Sequence, residues 1–386
     1  MPGLLPDIDP DGLLEYSVVF SDRSLNHMSR RFRDVMKYLS ATLKRTYGAE
    51  GVAVVPGGGT YAMEAVARQF GTGRRCLVIR NGFFSYRWTQ IFDAGAIPAE
   101  STVLRAHPVS GGPKSPYAPP PADEVAAAIR AGHPDVVFAP HVETSSGIIL
   151  PDEYLGVVSA AARDVDALFV LDCVASGAIW VDMGRCGVDV LISAPQKGWS
   201  GSPCAGLVML GPEAIARMDA SANTSFSCDL LRWLEVMGSY EAGGHTYHTT
   251  MPTDALRLSA EAMADTEAFG FAEATRKQWE LGGRVRGLLA ERGFASVAAA
   301  GYEAPGVVVS YTDDRSVQNG SRFAAAGLQT AAGVPLMCGE PEGFRTFRIG
   351  LFGLDKLARV DRTVRSFRSA LDRMCAGGSH LRGHCR

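Results

Sequence analysis

The sequence predicts an α/β protein built around a doubly wound, mainly parallel sheet. Short, continuous apolar runs such as GVAVV (51–55) and ALFVLD (167–172) have the length of strands buried on both faces. Segments with apolar residues at helical spacing separate these runs, as in successive βαβ units. Hydrophobic residues make up 46% of the 386 residues, which is enough to bury a large core.

The elements follow in order along the chain. Helical spacing predicts a helix over 24–47, which ends where Gly48 follows. Beyond it, apolar runs predict strands at 51–55, 75–80, 135–140, 167–172, 188–194 and 205–210. Helical patterns at 60–70 and 84–95 lie between the first strands, and another helix begins near Pro151. The Pro- and Gly-rich stretch 108–121 predicts a surface excursion, because the alternation resumes after it.

The last third of the chain predicts a smaller α+β domain. A long helical pattern begins near Thr253, and we expect a boundary within 275–285. The elements predicted after it are a helix at 285–294, a strand at 306–312, a helix at 319–328, a strand at 347–353 and a helix at 360–374. The predicted division is an N-terminal segment and helix (1–48), a large domain (49–280), a small C-terminal domain (281–375) and a flexible tail (376–386).

Composition excludes several classes of protein. Lys and Arg number 38 against 41 Asp and Glu, so charge gives no case for binding nucleic acid or an acidic membrane surface. The eight cysteines show no metal-like spacing, which predicts reduced thiols and no metal site. The first residues lack the pattern of a signal peptide, and no run of 18 apolar residues occurs. We therefore expect a soluble, cytoplasmic protein without a membrane segment.

A glycine-rich turn, 57–60, follows the first predicted strand. Glycines there let backbone N–H groups approach an anion, and a helix N-terminus adds positive potential. The turn matches neither G-x-G-x-x-G nor G-x-x-x-x-G-K-[ST], so a single phosphate is the favoured ligand. The alternative is a plain connection between strand and helix.

Three charged residues lie where charges are costly unless they have a function. Asp172 ends a buried strand, where α/β proteins bind ligands, although it could equally cap a helix or turn. Lys197 follows the strand at 188–194, and partial burial would lower its pKa as an imine-forming amine requires. An ordinary lysine is the alternative. Arg348 lies on an apolar strand and suits a carboxylate ligand or an internal salt bridge.

Together these features fit pyridoxal phosphate. That cofactor requires a lysine for its Schiff base, an acid near its pyridine nitrogen and an anchored phosphate. The arginine would then hold the α-carboxylate of an amino acid.

The stretch LDCVASGAIWVDMGRCGVDVLISAPQKGWSGSPCAGLVML (171–210) resembles the lysine region of class V pyridoxal-phosphate aminotransferases of fold type I. The similarity is to the alanine–glyoxylate and serine–glyoxylate aminotransferase branch, and it extends from about Leu25 to Leu371. It implies an enzyme that moves an amino group between a small amino acid and a 2-oxo acid such as glyoxylate or pyruvate.

The resemblance also implies roles for individual residues. Lys197 matches the Schiff-base lysine and Asp172 the partner of the pyridine nitrogen. The other implied cofactor contacts are Gly58, Gly59 and Thr60 in the phosphate turn, Gln196 beside the lysine, Phe84 and Val174 on the two ring faces, and Thr144 near the ring oxygen. Arg348, in a strand similar to R-I-G-L-x-G, takes the substrate carboxylate.

The segment YHTT (247–250) resembles one that reaches the phosphate of a neighbouring subunit. Tyr247 and Thr250 are the implied contacts. The resemblance therefore implies a homodimer with shared active sites.

Two segments depart from the family pattern and leave the reaction open. Residues 15–29 lack the usual Gly-Pro-rich motif, and residues 335–347 are acidic and contain Cys338. A lyase, desulfurase or carbon–carbon bond-forming enzyme is the alternative reading, although Cys338 itself is interpreted as an ordinary loop thiol. A binding protein on a degenerate scaffold is a third reading, opposed by the intact Asp172, Lys197 and Arg348. His141 is either structural or a cofactor contact.

Overall fold

A computed structural model describes residues 13–218 and 223–376 of the chain. Within them the helices are α1 (Arg30–Tyr47), α2 (Gly59–Gly71), α3 (Phe83–Gly95), α4 (Ala122–Gly132), α5 (Asp152–Asp164), α6 (Met183–Cys186), α7 (Pro212–Ala216), α8 (Leu230–Glu241), α9 (Thr253–Phe269), α10 (Phe271–Ala290), α11 (Arg315–Gln318), α12 (Ser321–Ala325), α13 (Leu354–Ala358) and α14 (Val360–Ala376). The predicted tail lies outside the described residues, apart from Ala376.

The strands described in the same residues are β1 (Gly51–Pro56), β2 (Arg75–Arg80), β3 (Glu100–Arg105), β4 (His107–Pro108), β5 (Tyr117–Ala118), β6 (Val136–Pro140), β7 (Val142–Glu143), β8 (Ile148–Ile149), β9 (Leu168–Asp172), β10 (Val190–Ser193), β11 (Ala205–Leu210), β12 (Val307–Tyr311), β13 (Ala331–Ala332) and β14 (Thr346–Gly350).

A seven-stranded sheet forms the centre of the molecule, in the order β1-β11-β10-β9-β6-β2-β3. The strands from β3 to β10 in this order pair in parallel, whereas β11 is antiparallel to both β10 and β1. Since β1 consequently runs in the same direction as β10, six strands share one carboxyl edge. The predicted α/β class with a mainly parallel sheet is confirmed.

Burial explains which strands the sequence predicted. All residues of β6, β9, β10 and β11 are buried, and these strands are continuous apolar runs. The edge strand β3 was not predicted, because its sequence ESTVLR is largely exposed and polar at its start. The first helix begins at Arg30 rather than at residue 24, because the Ser29 side chain accepts the Phe32 N–H and caps it.

The C-terminal region carries a second, antiparallel sheet in the order β12-β14-β13. Helices α10 and α14 pack over it around Phe347, Val308 and Leu371. The predicted boundary at residue 280 falls inside the continuous helix α10, and the limits of the domains stay a prediction. Within the range 319–328, where a helix was expected, only the short helix α12 forms, and α11 precedes that range.

The stretch 108–121 was predicted to lie at the surface, but it includes the hairpin strand β5, whose two residues are buried. The N–H of Tyr117 donates to Val297 O at 2.7 Å, and its side chain is buried. The stretch therefore joins the large sheet region to the C-terminal region. No helix within the described residues has the length and apolar character that crossing a membrane requires.

Candidate active site

The loops that follow β1, β2, β6, β9 and β10 meet at the shared carboxyl edge of the large sheet. In the register of the sheet, Asp172 lies beside Pro140 of β6 and Ile192 of β10. The candidate residues predicted on these loops therefore reach one place, although they are far apart in sequence.

Lys197 lies in a tight turn after β10, closed by a hydrogen bond from Gly201 N–H to Pro195 O at 2.9 Å. Its Nζ atom lies 6.0 Å from the ring centroid of Phe84 and 5.6 Å from that of Phe352. Burial lowers the pKa of Lys197, and the positive charge of Arg348 acts in the same direction, while Asp172 opposes both. The lysine is thus an amine held in an aromatic enclosure near an acid.

Asp172 ends β9 and is buried. Its Oδ1 atom accepts the backbone N–H of Val174 at 2.9 Å. Burial raises its pKa to about 6, against the opposing effects of that hydrogen bond and of Lys197. A carboxylate in such a place favours a positively charged partner.

His141 is buried and is fixed by hydrogen bonds to Asp172 and Ser176. Its backbone N–H donates to the backbone oxygen of Asp172 at 2.9 Å, and its ring atom Nδ1 is 2.7 Å from the Ser176 hydroxyl. Burial lowers the pKa of His141 to about 4, so the ring is neutral at neutral pH. These contacts favour the structural interpretation of His141.

Phe84 is positioned by a buried carboxylate at the start of α3. The side chain of Glu143 accepts hydrogen bonds from the backbone N–H groups of Phe84 at 3.2 Å and Ser85 at 2.8 Å. It also accepts from the Ser145 N–H at 3.0 Å and from the hydroxyls of Ser85 and Ser145, each at 2.8 Å. Glu143 thus ties the loop that carries the buried Thr144 to the N-terminus that presents Phe84.

The glycine-rich turn lies against Val174. A Cβ atom at Gly59 would lie 2.8 Å from Val174 Cγ2, so the close approach of the two segments requires glycine there. Gly57 has a φ of 121°, and a Cβ atom on it would lie 2.6 Å from the Tyr61 ring. At Gly58, by contrast, a Cβ atom would meet no atom within 4 Å. The turn is an open cradle at the start of α2.

Thr60 in this turn and Gln196, which follows β10, are the two polar side chains predicted to contact the cofactor there. The Thr60 hydroxyl accepts a hydrogen bond from Nη1 of Arg87 at 2.8 Å. The Oε1 atom of Gln196 is buried and has no hydrogen-bond partner within the described part of the chain. A buried acceptor without a partner is rare in folded proteins and fits a site that a ligand completes.

Arg348 reaches the site from the small sheet. It lies on β14, where its Nε donates to Ala332 O at 2.8 Å, and its Cζ atom is 5.5 Å from the Phe84 centroid. Burial lowers its pKa, while the charge of Glu143 acts to raise it. Among the described residues Arg348 forms no salt bridge, so the guanidinium is available to an anionic ligand.

Within the described residues, the hydrogen bonds and ring contacts of Tyr247 and Thr250 involve none of the residues above. Tyr247 is half exposed; its hydroxyl lies 3.0 Å from the Thr250 hydroxyl, and its ring packs 5.5 Å from His27. Both belong to the loop between α8 and α9.

Cys338 is partly buried in the segment before β14. Its thiol donates to Arg80 O at 3.4 Å, and burial raises its pKa to about 12. Because the thiolate is the nucleophilic form, these surroundings oppose a reactive role and favour the ordinary loop thiol.

Sequence reasoning missed three residues of this arrangement: Glu143, Arg87 and Phe352. Glu143 directly precedes the predicted cofactor contact Thr144, and its total burial was the missing information. Arg87 follows Phe84 by one helical turn, a spacing that the sequence does show. Phe352 follows β14 directly, and only the packing of the C-terminal region against the large sheet brings it to Lys197.

Comparison with curated proteins finds aminotransferases among the relatives. The chain is 28% identical over 317 residues to a 2-aminoethylphosphonate–pyruvate transaminase of Aeromonas hydrophila, with 80% of this chain and 77% of the relative covered. It is 24% identical to an alanine–glyoxylate aminotransferase of Rattus norvegicus, covering 70% of this chain and 64% of the relative. A soluble hydrogenase small subunit of Synechococcus is 27% identical over 62% of this chain, and the match spans only 60% of that subunit. No protein-family model matches.

Solved structures share the fold over nearly the whole chain. An alanine–glyoxylate aminotransferase of Nostoc aligns with a TM-score of 0.74 and 22% identity, covering 89% of this chain and 88% of that one. A ureidoglycine–glyoxylate aminotransferase of Bacillus subtilis aligns with a TM-score of 0.73 and 19% identity, covering 96% of this chain and 92% of that one.

Proposed function

We propose that this chain, a relative of class V aminotransferases with the fold of type I pyridoxal-phosphate transferases, is itself a pyridoxal-phosphate-dependent aminotransferase. It would move an amino group between a small amino acid and a 2-oxo acid such as pyruvate or glyoxylate. The observation that carries the proposal is the position of Lys197, whose amine lies between two aromatic rings at the carboxyl edge of the sheet. Burial lowers its pKa, against the opposing effect of the Asp172 charge.

The residues at the edge fit the cofactor. The open turn at Gly58, with Gly59 and Thr60 at the start of α2, would hold the phosphate, and the side-chain NH₂ of Gln196 would donate to it. Asp172 would face the pyridine nitrogen, since a buried carboxylate favours a cation opposite it. Phe84 and Val174 would enclose the ring, and Thr144 would lie near its oxygen.

Bound pyridoxal phosphate supplies an electron sink for bond breaking at the α-carbon of the amino acid. Lys197 would take the α-proton and later return it, for which a lowered pKa is favourable near neutral pH. Arg348, with no salt bridge among the described residues, would bind the carboxylate and fix the substrate's orientation. Asp172, kept ionised by a cationic partner, would hold the ring nitrogen in its charged form.

We further propose a homodimer in which Tyr247 and Thr250 complete the phosphate site of the neighbouring subunit. Their exposed position supports a role between subunits. A cytoplasmic location is also proposed. The free cysteines of the described residues support it, because thiols persist in reducing compartments.

The absorption spectrum tests the proposed reaction directly. Protein saturated with pyridoxal phosphate is titrated with single amino acids, including alanine, serine and 2-aminoethylphosphonate. We expect one of them to convert the pyridoxal band to the pyridoxamine band, and pyruvate or glyoxylate to reverse the conversion.

The Lys197→Ala variant is the matched control, because it should bind the cofactor and fail to complete the conversion. Turnover by this variant equal to the parent's would remove Lys197 from its role. Release of ammonia, sulfide or a carbon fragment without conversion would favour the lyase, desulfurase or bond-forming alternative. Failure of the parent to bind the cofactor at all would overturn the proposal.

A further inference from the structure

Arg87 joins two parts of the site that come from different elements. It lies on α3, one turn after Phe84, and its Cζ atom is 5.2 Å from the centroid of that ring. Its Nη1 atom reaches across to the turn at the start of α2 and donates to Thr60 Oγ1 at 2.8 Å. A single guanidinium therefore connects the proposed ring platform to the proposed phosphate turn.

The hydrogen bond has a direction that matters for a ligand. A guanidinium can only donate, so the Thr60 oxygen is the acceptor in this contact. The hydroxyl's own proton is consequently directed away from Arg87 and is available to another acceptor. The neighbouring turn is open at Gly58, where an anion would provide such an acceptor.

The negative charge of a phosphate is a second, independent reason to connect Arg87 with the phosphate turn. Gly58, Gly59, Thr60 and Gln196 are all uncharged, whereas a phosphate ester carries up to two negative charges at neutral pH. The charge of Arg87 extends into the site, because it acts to lower the pKa of both Asp172 and Lys197. A cation at this place would offset the phosphate charge.

We infer that Arg87 is a positioning residue for the cofactor phosphate: it orients the Thr60 hydroxyl toward the phosphate and supplies the compensating positive charge. The inference rests on the proposed function, because it concerns the phosphate of pyridoxal phosphate.

Comparison of two ligands tests this role. Pyridoxal phosphate and pyridoxal, which lacks the phosphate, are titrated into the apoprotein of the parent and of Arg87→Met, and binding is followed by absorbance. We expect the Kd for pyridoxal phosphate to rise about tenfold to a hundredfold, as for loss of a charge-assisted hydrogen bond, and the Kd for pyridoxal to change little. Arg130→Met is the matched control, since Arg130 is an exposed arginine paired with Asp164 on the surface.

Two further variants separate the mechanism from a packing defect. Arg87→Lys keeps the charge and should recover part of the affinity for pyridoxal phosphate. Thr60→Val should weaken binding of pyridoxal phosphate, and the double variant with Arg87→Met should lose less than the sum of the two single losses. The ³¹P resonance of the bound cofactor should shift in Arg87→Met and not in Arg130→Met.

Equal loss of affinity for both ligands would overturn the inference and show that Arg87 acts only through the packing of Phe84. Unchanged affinity for pyridoxal phosphate would overturn it as well. Either result leaves the proposed function intact, whereas a parent protein that binds neither ligand refutes the proposed function itself.

Discussion

Asp172 lowers the stability of the folded protein at neutral pH, at a position that its proposed function requires. Its carboxyl group is buried at the end of β9, where one backbone N–H and the charge of Lys197 only partly offset the loss of water. In the protein without cofactor, the ionised form is therefore disfavoured, and the pKa rises to about 6. A cationic ligand opposite the carboxylate would remove that penalty.

The raised pKa predicts how Asp172→Asn changes stability with pH. The folded carboxyl binds its proton more tightly than the unfolded one, so the parent loses stability as pH rises through about 4 to 6. Asparagine avoids this loss. At pH 8 the variant apoprotein should be more stable by about 2 to 3 kcal/mol, and below pH 4 the difference should vanish.

Urea unfolding of both apoproteins at pH 8, 6 and 4 measures this difference. Because the two proteins differ only at residue 172, the comparison reports the ionisation of Asp172 together with its effect on Lys197. A stability difference that does not vary with pH would show that Asp172 is not the group whose ionisation is penalised.

Some residues of the candidate site could be predicted from the sequence alone, and others could not. Asp172 and Lys197 follow apolar strands directly, so their place at the carboxyl edge was predictable from local pattern. Arg87 and Glu143 act through contacts with Thr60 and with the start of α3, and no local pattern encodes such pairings. Such contacts between remote segments can be identified only once the order of the strands in the sheet is known.

At the scale of elements, the start of α3 depends on a carboxylate from another loop. Glu143 is completely buried and accepts two backbone N–H groups of the first helical turn. Helix N-termini leave such donors unpaired, and Gly82 at the cap has no side chain to serve them. The loop after β6 therefore fixes the helix that presents Phe84 and Arg87.

Replacement of Glu143 by Gln should loosen this helix start. The amide NH₂ would face backbone donors in place of one carboxylate oxygen, so we expect a loss of about 1 to 3 kcal/mol in the free energy of unfolding. Weaker binding of pyridoxal phosphate should accompany it. Glu124→Gln is the matched control, since Glu124 is an exposed acid in the first turn of α4.

Urea unfolding and cofactor titration measure both effects. Equal stability of Glu143→Gln and Glu124→Gln would contradict the role of Glu143 as the support of α3.

Elements were predictable where burial imposes a simple pattern. The interior strands β6, β9, β10 and β11 are buried throughout and mostly apolar, and each was predicted close to its observed position. Strand β3 was missed because an edge strand that faces solvent lacks this pattern. The start of α1 was placed too early, since Leu25, which is buried in the core, belongs to a segment of turns before the helix.

At the scale of the whole molecule, the site combines parts that are remote in the chain. Lys197 and Asp172 come from the large sheet, whereas Arg348 and Phe352 come from the C-terminal sheet and the segment after it. The Phe84 ring lies near both Lys197 and Arg348. Composition and spacing predict the two sheets separately, but not the packing that brings Phe352 against Lys197.

Mixing of inactive subunits tests whether the proposed sites are shared. One protein carries Lys197→Ala and the other carries Tyr247→Phe with Thr250→Val; both should be nearly inactive at limiting cofactor. In a mixed dimer, the intact Lys197 of one subunit meets the intact Tyr247 and Thr250 of the other, so one complete site forms. Random assortment should restore about a quarter of the parent's activity, because half of the dimers are mixed and each has one working site.

Co-refolding of the two variants at equal concentration, followed by activity at limiting pyridoxal phosphate, measures this recovery. Each variant refolded alone is the control, and a mixture of Lys197→Ala with Arg130→Met reports the activity expected when one partner is fully competent. Activity equal to the mean of the two separate variants would mean that each site is built from one chain. Tyr247 and Thr250 would then be surface residues, and the exposed loop between α8 and α9 would need another explanation.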